Sequence, residues 1–178
     1  MKDLQRLFDR CESQRERMLQ GISNLSPSQL AFQPGVGEWS MLENIHHLVL
    51  TDEEIVRLAS DPKAVVRQTE AFKRGRSGVP FAVVWLILRL GIRVPVPLES
   101  VIPSNSHSIP ALIAQWRQVR ERMRAMFEDV EDLCSPFAVH PVCGALNAVQ
   151  TLQFMLVHDG YHFRLMNRLR HARSFPQQ

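Results

Sequence analysis

Hydrophobic side chains recur at three- and four-residue steps in four stretches of this chain, which is the spacing of amphipathic helices. No stretch of useful length alternates between apolar and polar residues as a half-buried strand would, and no segment repeats. Four amphipathic helices and no predicted strand indicate an all-α four-helix bundle, formed as a single domain over residues 1–178. The predicted helices cover about residues 2–23, 41–60, 108–130 and 147–170.

Helix start signals support these boundaries. Ser40 is a predicted N-cap with Glu43 at the reciprocal position of a capping box. Asn147 is the predicted cap of the last helix, and Ser26-Pro27 predicts a short helical turn after the first. The helices therefore begin at defined residues.

The second and third helices are joined by a long connection, residues 61–107, which we expect to be an irregular insert because prolines and glycines interrupt it. A long connection allows a crossover between helices that are not adjacent in an antiparallel pair. Its apolar run, residues 79–88, is too short for a membrane span of ~20 residues. A buried excursion, a dimer contact and a membrane-surface helix remain open for it.

Composition narrows the class of protein. Of the 178 residues, 45% are hydrophobic and 22% charged, which is typical of a globular domain. The net charge is +3, and basic residues are interspersed with acidic ones, so we expect no nucleic-acid partner. Cys11, Cys134 and Cys143 form no Cys-x-x-Cys pair and are expected to be reduced, buried thiols. The first residues show helical periodicity instead of an export signal, so we expect a cytoplasmic protein.

Two histidines, His158 and His162, lie one helical turn apart on an apolar face of the last predicted helix. Imidazoles that point into a core need partners, because an unsatisfied buried polar group costs several kcal/mol. A metal ion, a carboxylate, a water molecule or a backbone carbonyl would satisfy them. Imidazole suits zinc, nickel, copper and ferrous iron.

The second predicted helix carries His46 and His47, and its periodicity places His47 on the polar stripe with Glu43 and Glu54. Such a stripe either faces solvent or lines a water-filled pocket, and the sequence leaves both alternatives open. The remaining histidines lie in predicted loops or at the chain end and are expected at the surface, although the one before Pro141 could reach a pocket: His107, His140 and His171.

Several motifs together resemble the DinB/YfiT-like superfamily over about residues 4–171: Gly37-Glu38-Trp39-Ser40, His47-Leu48, His140-Pro141 with Gly144, and His158-x-x-x-His162. The resemblance implies a four-helix bundle in which His47, His158 and His162 bind a divalent metal. Zinc or nickel is the expected ion, with iron or manganese as other candidates. The resemblance also implies a homodimer and a small-molecule substrate, for which a low-molecular-weight thiol is a candidate.

Members of that superfamily include thiol S-transferases, thiol-dependent isomerases and proteins described as metal-dependent hydrolases. We therefore expect a metal-dependent enzyme that activates a water or a thiol. Glu43 and Glu54 are its candidate residues for orienting ligands or transferring protons, although a solvated helix face, with Glu43 only capping, is the simpler explanation of both. The alternative is a non-catalytic stress-related or interaction bundle with a vestigial or structural metal.

Overall fold

A computed structural model describes residues 2–75, 78–104 and 107–177 of the chain. Its elements, in chain order, are α1 (Lys2–Ile22), α2 (Pro27–Leu30), α3 (Met41–Ala59), α4 (Pro62–Gly75), α5 (Phe81–Leu90), the 3₁₀ helix η1 (Glu99–Val101), α6 (Ile109–Glu128), β1 (Pro136–His140), β2 (Gly144–Asn147) and α7 (Ala148–Arg170).

The long helices α1, α3, α6 and α7 form a four-helix bundle, as the periodicity predicted. Helix α1 packs mainly on α7, and α3 packs mainly on α6. Capping boxes begin α3 at Ser40 and α7 at Asn147, which confirms both predicted starts. Because a capping box pairs backbone donors at a helix start, it determines where the side chains of the first turns point.

The connection between α3 and α6 differs from the expected irregular insert, because it contains the helices α4 and α5. Pro62 is the first residue of α4, and Pro80 is the N-cap of α5. Proline lacks a backbone N–H, but the N–H groups at a helix start have no partner within the helix, so proline is tolerated there. The sequence suggested that Pro62 and Pro80 interrupt helices, whereas both begin them. Helix α5 packs on α7, and within the described residues no helix is long and apolar enough to cross a bilayer.

A short antiparallel hairpin of β1 and β2 precedes α7, and the sequence did not predict it. His140 pairs with Gly144 at its turn. Gly144 has φ +78°, and a Cβ there would lie 2.7 Å from the ring of Phe72. A glycine is therefore needed at this position both for its backbone conformation and for the space next to α4.

The bundle has an apolar cluster towards each end. One includes Phe8, Met123 and Leu152, and the other includes Met18, Leu48 and Met166. Between them, near the middle of each long helix, lies a polar layer that consists of the half-buried Glu12 and the buried Arg15, Asp52, Trp116, Arg120 and Asp159.

Arg120 is the centre of this layer. Its Nε donates to Asp52 Oδ2 at 2.6 Å, and its Nη2 donates to Asp159 Oδ2 at 2.9 Å. The indole Nε1 of Trp116 also donates to Asp52, at 2.6 Å. Burial raises the pKa of both carboxyl groups, and the adjacent guanidinium opposes that rise. Helices α3, α6 and α7 are therefore joined by charged groups that depend on one another.

Candidate metal centre

The structure brings three histidines from distant parts of the sequence together. His47 comes from the middle of α3, and His158 and His162 come from successive turns of α7. One ring nitrogen of each lies within 4.8 Å of the others. The inward direction predicted for the α7 pair is confirmed, since both side chains are buried.

His47 is also buried, with only 4% of its surface exposed. Its Nδ1 lies 2.7 Å from the carbonyl oxygen of Val101, at the end of η1, and the Trp39 ring packs beside it at 4.8 Å. The polar stripe of α3 is therefore covered by other elements and lines a pocket, the second of the two alternatives. Nδ1 donates its proton to this carbonyl oxygen, so Nε2 carries no proton and its lone pair is available to a metal ion.

His162 is oriented by Asn44, one turn before His47 in α3. Nδ1 of His162 lies 2.8 Å from Oδ1 of Asn44, and the Asn44 amide nitrogen donates to the Ser40 carbonyl at 2.7 Å. Since the amide oxygen can only accept, the His162 proton lies on Nδ1 and its Nε2 carries a lone pair. The helix cap thus positions one of the three imidazoles.

His158 is held differently. Its ring stacks on Phe154 with centroids 5.0 Å apart and an interplanar angle of 17°. Its buried Nδ1 has no hydrogen-bond partner among the described residues. Its Nε2 lies 3.3 Å from Nε2 of His47. The orientation of this ring therefore depends on aromatic packing and on whatever its nitrogens bind.

The three imidazoles suit a cation. Burial lowers the pKa of His47, and it lowers those of His158 and His162 strongly, with the neighbouring His47 adding to the effect on both of these. The rings are consequently neutral near pH ~7, the form that binds metals. Two nitrogens at ~2.0–2.1 Å from a tetrahedral zinc ion lie about 3.3–3.4 Å apart. The 3.3 Å between His47 and His158 fits that geometry.

The histidines form one part of the wall of a cavity of about 870 Å³. Helices α3, α5 and α7, the loop before α3, the hairpin and the stretch that follows α5 supply most of the rest of the wall. Pockets of ~300–1,000 Å³ accommodate small-molecule ligands. Three protein ligands beside such a space leave a coordination position that a small molecule can reach.

His140 also lines this cavity, although the sequence placed it at the surface. Its Nδ1 accepts hydrogen bonds from the backbone nitrogens of Val142 at 3.1 Å and Cys143 at 3.3 Å. The proton of the neutral ring therefore lies on Nε2. Burial lowers the pKa of His140 to about 4, so the ring is neutral near pH ~7. The His-Pro dipeptide before Gly144 was the only sequence signal for it.

The two glutamates proposed from the sequence have different surroundings. Glu43 Oε2 accepts from the backbone nitrogen of Ser40 and from Nε2 of Gln33, each at 2.7 Å, so it completes the predicted capping box. Glu54 lines the cavity and pairs with Arg57 at 2.6 Å. Of the two, Glu54 is the carboxylate that can reach a ligand in the cavity.

His46 lies outside the cluster. Its Nδ1 accepts a hydrogen bond from the backbone nitrogen of Ser104 at 3.0 Å, and its ring packs against His107 at 4.2 Å. His171, at the end of α7, is exposed, as expected. Adjacent histidines of α3 therefore face different elements, and only His47 faces the α7 pair.

Comparisons with known proteins agree with this architecture. The model of the DinB superfamily matches residues 10–166. A crystal structure of TT2238, described as a four-helix bundle protein, is similar in fold, with a TM-score of 0.59 and 16% identity over 93% of this chain and 98% of that one. No curated protein matches the sequence significantly. The structural similarity at this identity concerns the fold alone.

Proposed function

Because this chain belongs to the DinB superfamily, we propose that it is a metal-dependent enzyme whose His47, His158 and His162 together bind one divalent cation, zinc or nickel first. The observation that carries the proposal is the convergence of three buried, neutral imidazoles on a ligand-sized cavity. Bound there, the cation would lower the pKa of a coordinated water or low-molecular-weight thiol and so supply a nucleophile near neutral pH.

The residues of the chain would position the reaction. Val101 and Asn44 hold the Nδ1 sides of His47 and His162, which leaves the Nε2 atom of each ring to the proposed cation. Glu54 is the proposed group for receiving or returning a proton in the cavity, and Glu43 is proposed to act through the cap of α3. Attack on a small electrophile would make the protein an S-transferase if the nucleophile is a thiol, and a hydrolase if it is water.

Metal analysis of protein purified without a histidine tag tests this function. We expect about one metal ion per chain in the wild type and loss of that ion in His158→Ala, with the helical circular-dichroism spectrum retained. His171→Ala is the matched control, because His171 ends the same helix but is exposed outside the cluster. A wild type that binds no stoichiometric zinc, nickel, iron or manganese would refute the proposal.

Activity should then be assayed on the metal-loaded protein with several cellular thiols and, separately, with ester and epoxide substrates. Turnover that His158→Ala abolishes and His171→Ala retains would assign the reaction to the three-histidine site. Stoichiometric metal without turnover on any of these substrates would favour the alternative, a bundle with a vestigial or structural metal.

We further propose a cytoplasmic homodimer, and the exposed outer side of α5 supports the dimer. Val83, Leu86 and Leu90 lie on this outer side, each more than 40% exposed. A second copy of the chain would remove this apolar surface from water. Sedimentation of the wild type beside Leu86→Glu tests it: a dimer that the substitution dissociates is expected, and a monomeric wild type would contradict it.

A further inference from the structure

The cavity beyond the histidines is apolar. Helix α5 turns Val84 and Leu88 towards it, the stretch after α5 adds Val96, and α7 and β2 close the opposite side. This wall includes six aliphatic or aromatic side chains: Val84, Leu88, Val96, Leu146, Phe154 and Leu165. Leu88, Leu146 and Phe154 also belong to one buried cluster, so the wall is packed from behind.

The charged side chains that line the cavity are either paired with each other or with a neighbour, or exposed to solvent. Glu38 pairs with Arg93 at 2.6 Å, and Glu54 pairs with Arg57 at the same distance. Arg168 is exposed to solvent. Because these charges are already paired or solvated, the apolar wall is the larger binding surface, and burial of apolar ligand area is the main source of affinity on such a surface.

The polar end of the cavity is compact. The His140 ring packs against Phe154 at 4.8 Å, and Phe154 in turn stacks on His158 at 5.0 Å. The Nε2–H of His140 is therefore a donor close to the three metal-binding imidazoles. A polar group of a ligand could accept from this donor while it approaches the cation.

We infer that the substrate is amphipathic, with a small polar head that binds between the three histidines and His140, and an aliphatic body that lies along the wall formed by α5, β2 and α7. The inference rests on the proposed function for the position of the head. The position of the aliphatic body depends only on the apolar wall. A thiol carrying sugar or peptide groups would fit this wall poorly, so the aliphatic body belongs to the electrophile that the nucleophile attacks.

A homologous series of probes separates these two parts. Butane-, hexane-, octane- and decanehydroxamate carry the same metal-binding head on aliphatic bodies of increasing length. Their dissociation constants are measured by calorimetry on the full chain, once loaded with zinc and once metal-free. We expect affinity to rise about fourfold per methylene in both forms until the cavity is filled. The zinc-loaded form should bind every member more tightly by a constant factor.

Two valines provide the matched variants. Val84 lines the cavity, whereas Val66 is 58% exposed on α4 and outside the cavity lining. Val84→Asp should reduce the gain per methylene to less than about twofold, and Val66→Asp should leave it unchanged. Val84→Phe keeps the wall apolar and fills part of the space, so the gain should stop at a shorter chain. This second variant applies if Val84→Asp fails to fold.

The outcomes are distinguishable. An affinity independent of chain length, or an unchanged gain in both Val84 variants, overturns the inference even if zinc binds. A normal gain per methylene with no difference between zinc-loaded and metal-free protein overturns the position of the head at the three histidines. Protein that takes up no stoichiometric metal refutes the proposed function, and a normal gain per methylene in it still leaves the aliphatic wall standing.

Discussion

The side-chain oxygen of Asn44 accepts a 2.8 Å hydrogen bond from Nδ1 of His162, across the interface between α3 and α7. The same amide donates to the carbonyl of Ser40, the N-cap of α3. Partners of this kind set the proton position and the direction of a metal-binding imidazole. One residue of the first turn of α3 therefore holds a proposed metal ligand 118 positions later in the chain.

Replacing Asn44 tests that control. Asn44→Leu keeps a side chain of similar size and removes the acceptor, so His162 is free to change its proton position or rotate. We expect zinc affinity, measured by competition with a chromophoric chelator, to fall by about 10–100-fold. Asn167→Leu, on α7 and outside the cavity lining, should keep the wild-type affinity. Equal affinities in Asn44→Leu and wild type would show that Asn44 does not orient the ligand.

The neighbouring histidines of α3 should behave oppositely. His47→Ala removes a ring nitrogen from the cluster, and its loss of zinc affinity should exceed the ~10–100-fold expected for an orienting partner. His46→Ala removes a ring that faces Ser104 and His107, so zinc stoichiometry should remain that of the wild type. Parallel metal analysis of the two variants decides the assignment. Loss of zinc in His46→Ala alone would reverse it.

The sequence predicted the helices of the bundle and the inward direction of His158 and His162, because each of these is a property of a single helix. Capping signals at Ser40 and Asn147 and apolar periodicity lie within a few residues of each other, and so does the spacing of His158 and His162. The burial of His47 could not be predicted in this way. It depends on η1, which lies 54 positions later and covers the polar side of α3.

The elements between α3 and α6 were missed for a related reason. In the sequence, prolines in this connection look like helix breakers. In the fold, Pro62 and Pro80 each begin a helix whose packing partner lies elsewhere in the chain. The polar layer around Arg120 was also not predicted, because each charged residue looks like an ordinary surface residue in its own helix. Only the assembled bundle shows that these residues face one another.

Loss of Arg120 should destabilise the bundle strongly. Arg120→Met leaves Asp52 and Asp159 buried beside each other without their cation. Breaking a buried pair of this kind costs about 3–5 kcal/mol of unfolding free energy. Arg67→Met removes an exposed pair with Asp61 and should cost less than about 1 kcal/mol. Urea denaturation of both variants measures the difference, and similar values for the two would contradict a stabilising role of the layer.

The cost of Arg120→Met should also depend on pH. Burial already raises the folded-state pKa of Asp52, and removal of the guanidinium raises it further above the unfolded value. A carboxyl group with a raised folded pKa binds its proton more tightly in the folded state, so it stabilises the fold as pH falls towards the unfolded pKa. The free-energy difference between variant and wild type should therefore be smaller at about pH 5 than at about pH 7.5. A larger difference at the lower pH would be inconsistent with this argument.

The three cysteines should differ in reactivity. Cys11 is fully buried, and its thiol lies 3.6 Å from the carbonyl oxygen of Leu152. Burial raises the pKa of Cys11, and it raises that of Cys143 to about 11. Cys134 is exposed and Cys143 is half-buried, so the expectation that all three are buried is correct only for Cys11. Iodoacetamide at about pH 8 should modify Cys134 first and Cys11 only after unfolding, as followed by mass spectrometry. Early modification of Cys11 would indicate that α1 separates readily from α7.

Metal removal should lower stability without unfolding the protein. The apolar clusters at the two ends of the bundle are formed by residues other than the three histidines, so the metal-free chain should keep its helical circular-dichroism spectrum. Zinc at about 100 times its dissociation constant should stabilise the fold by about 2.7 kcal/mol. For a domain of this size that corresponds to a rise in Tm of about 5–10 °C. His158→Ala should show no such rise. A metal-free wild type that is unfolded would instead identify the histidine cluster as a structural site, since the ion would then be required for the helices to assemble.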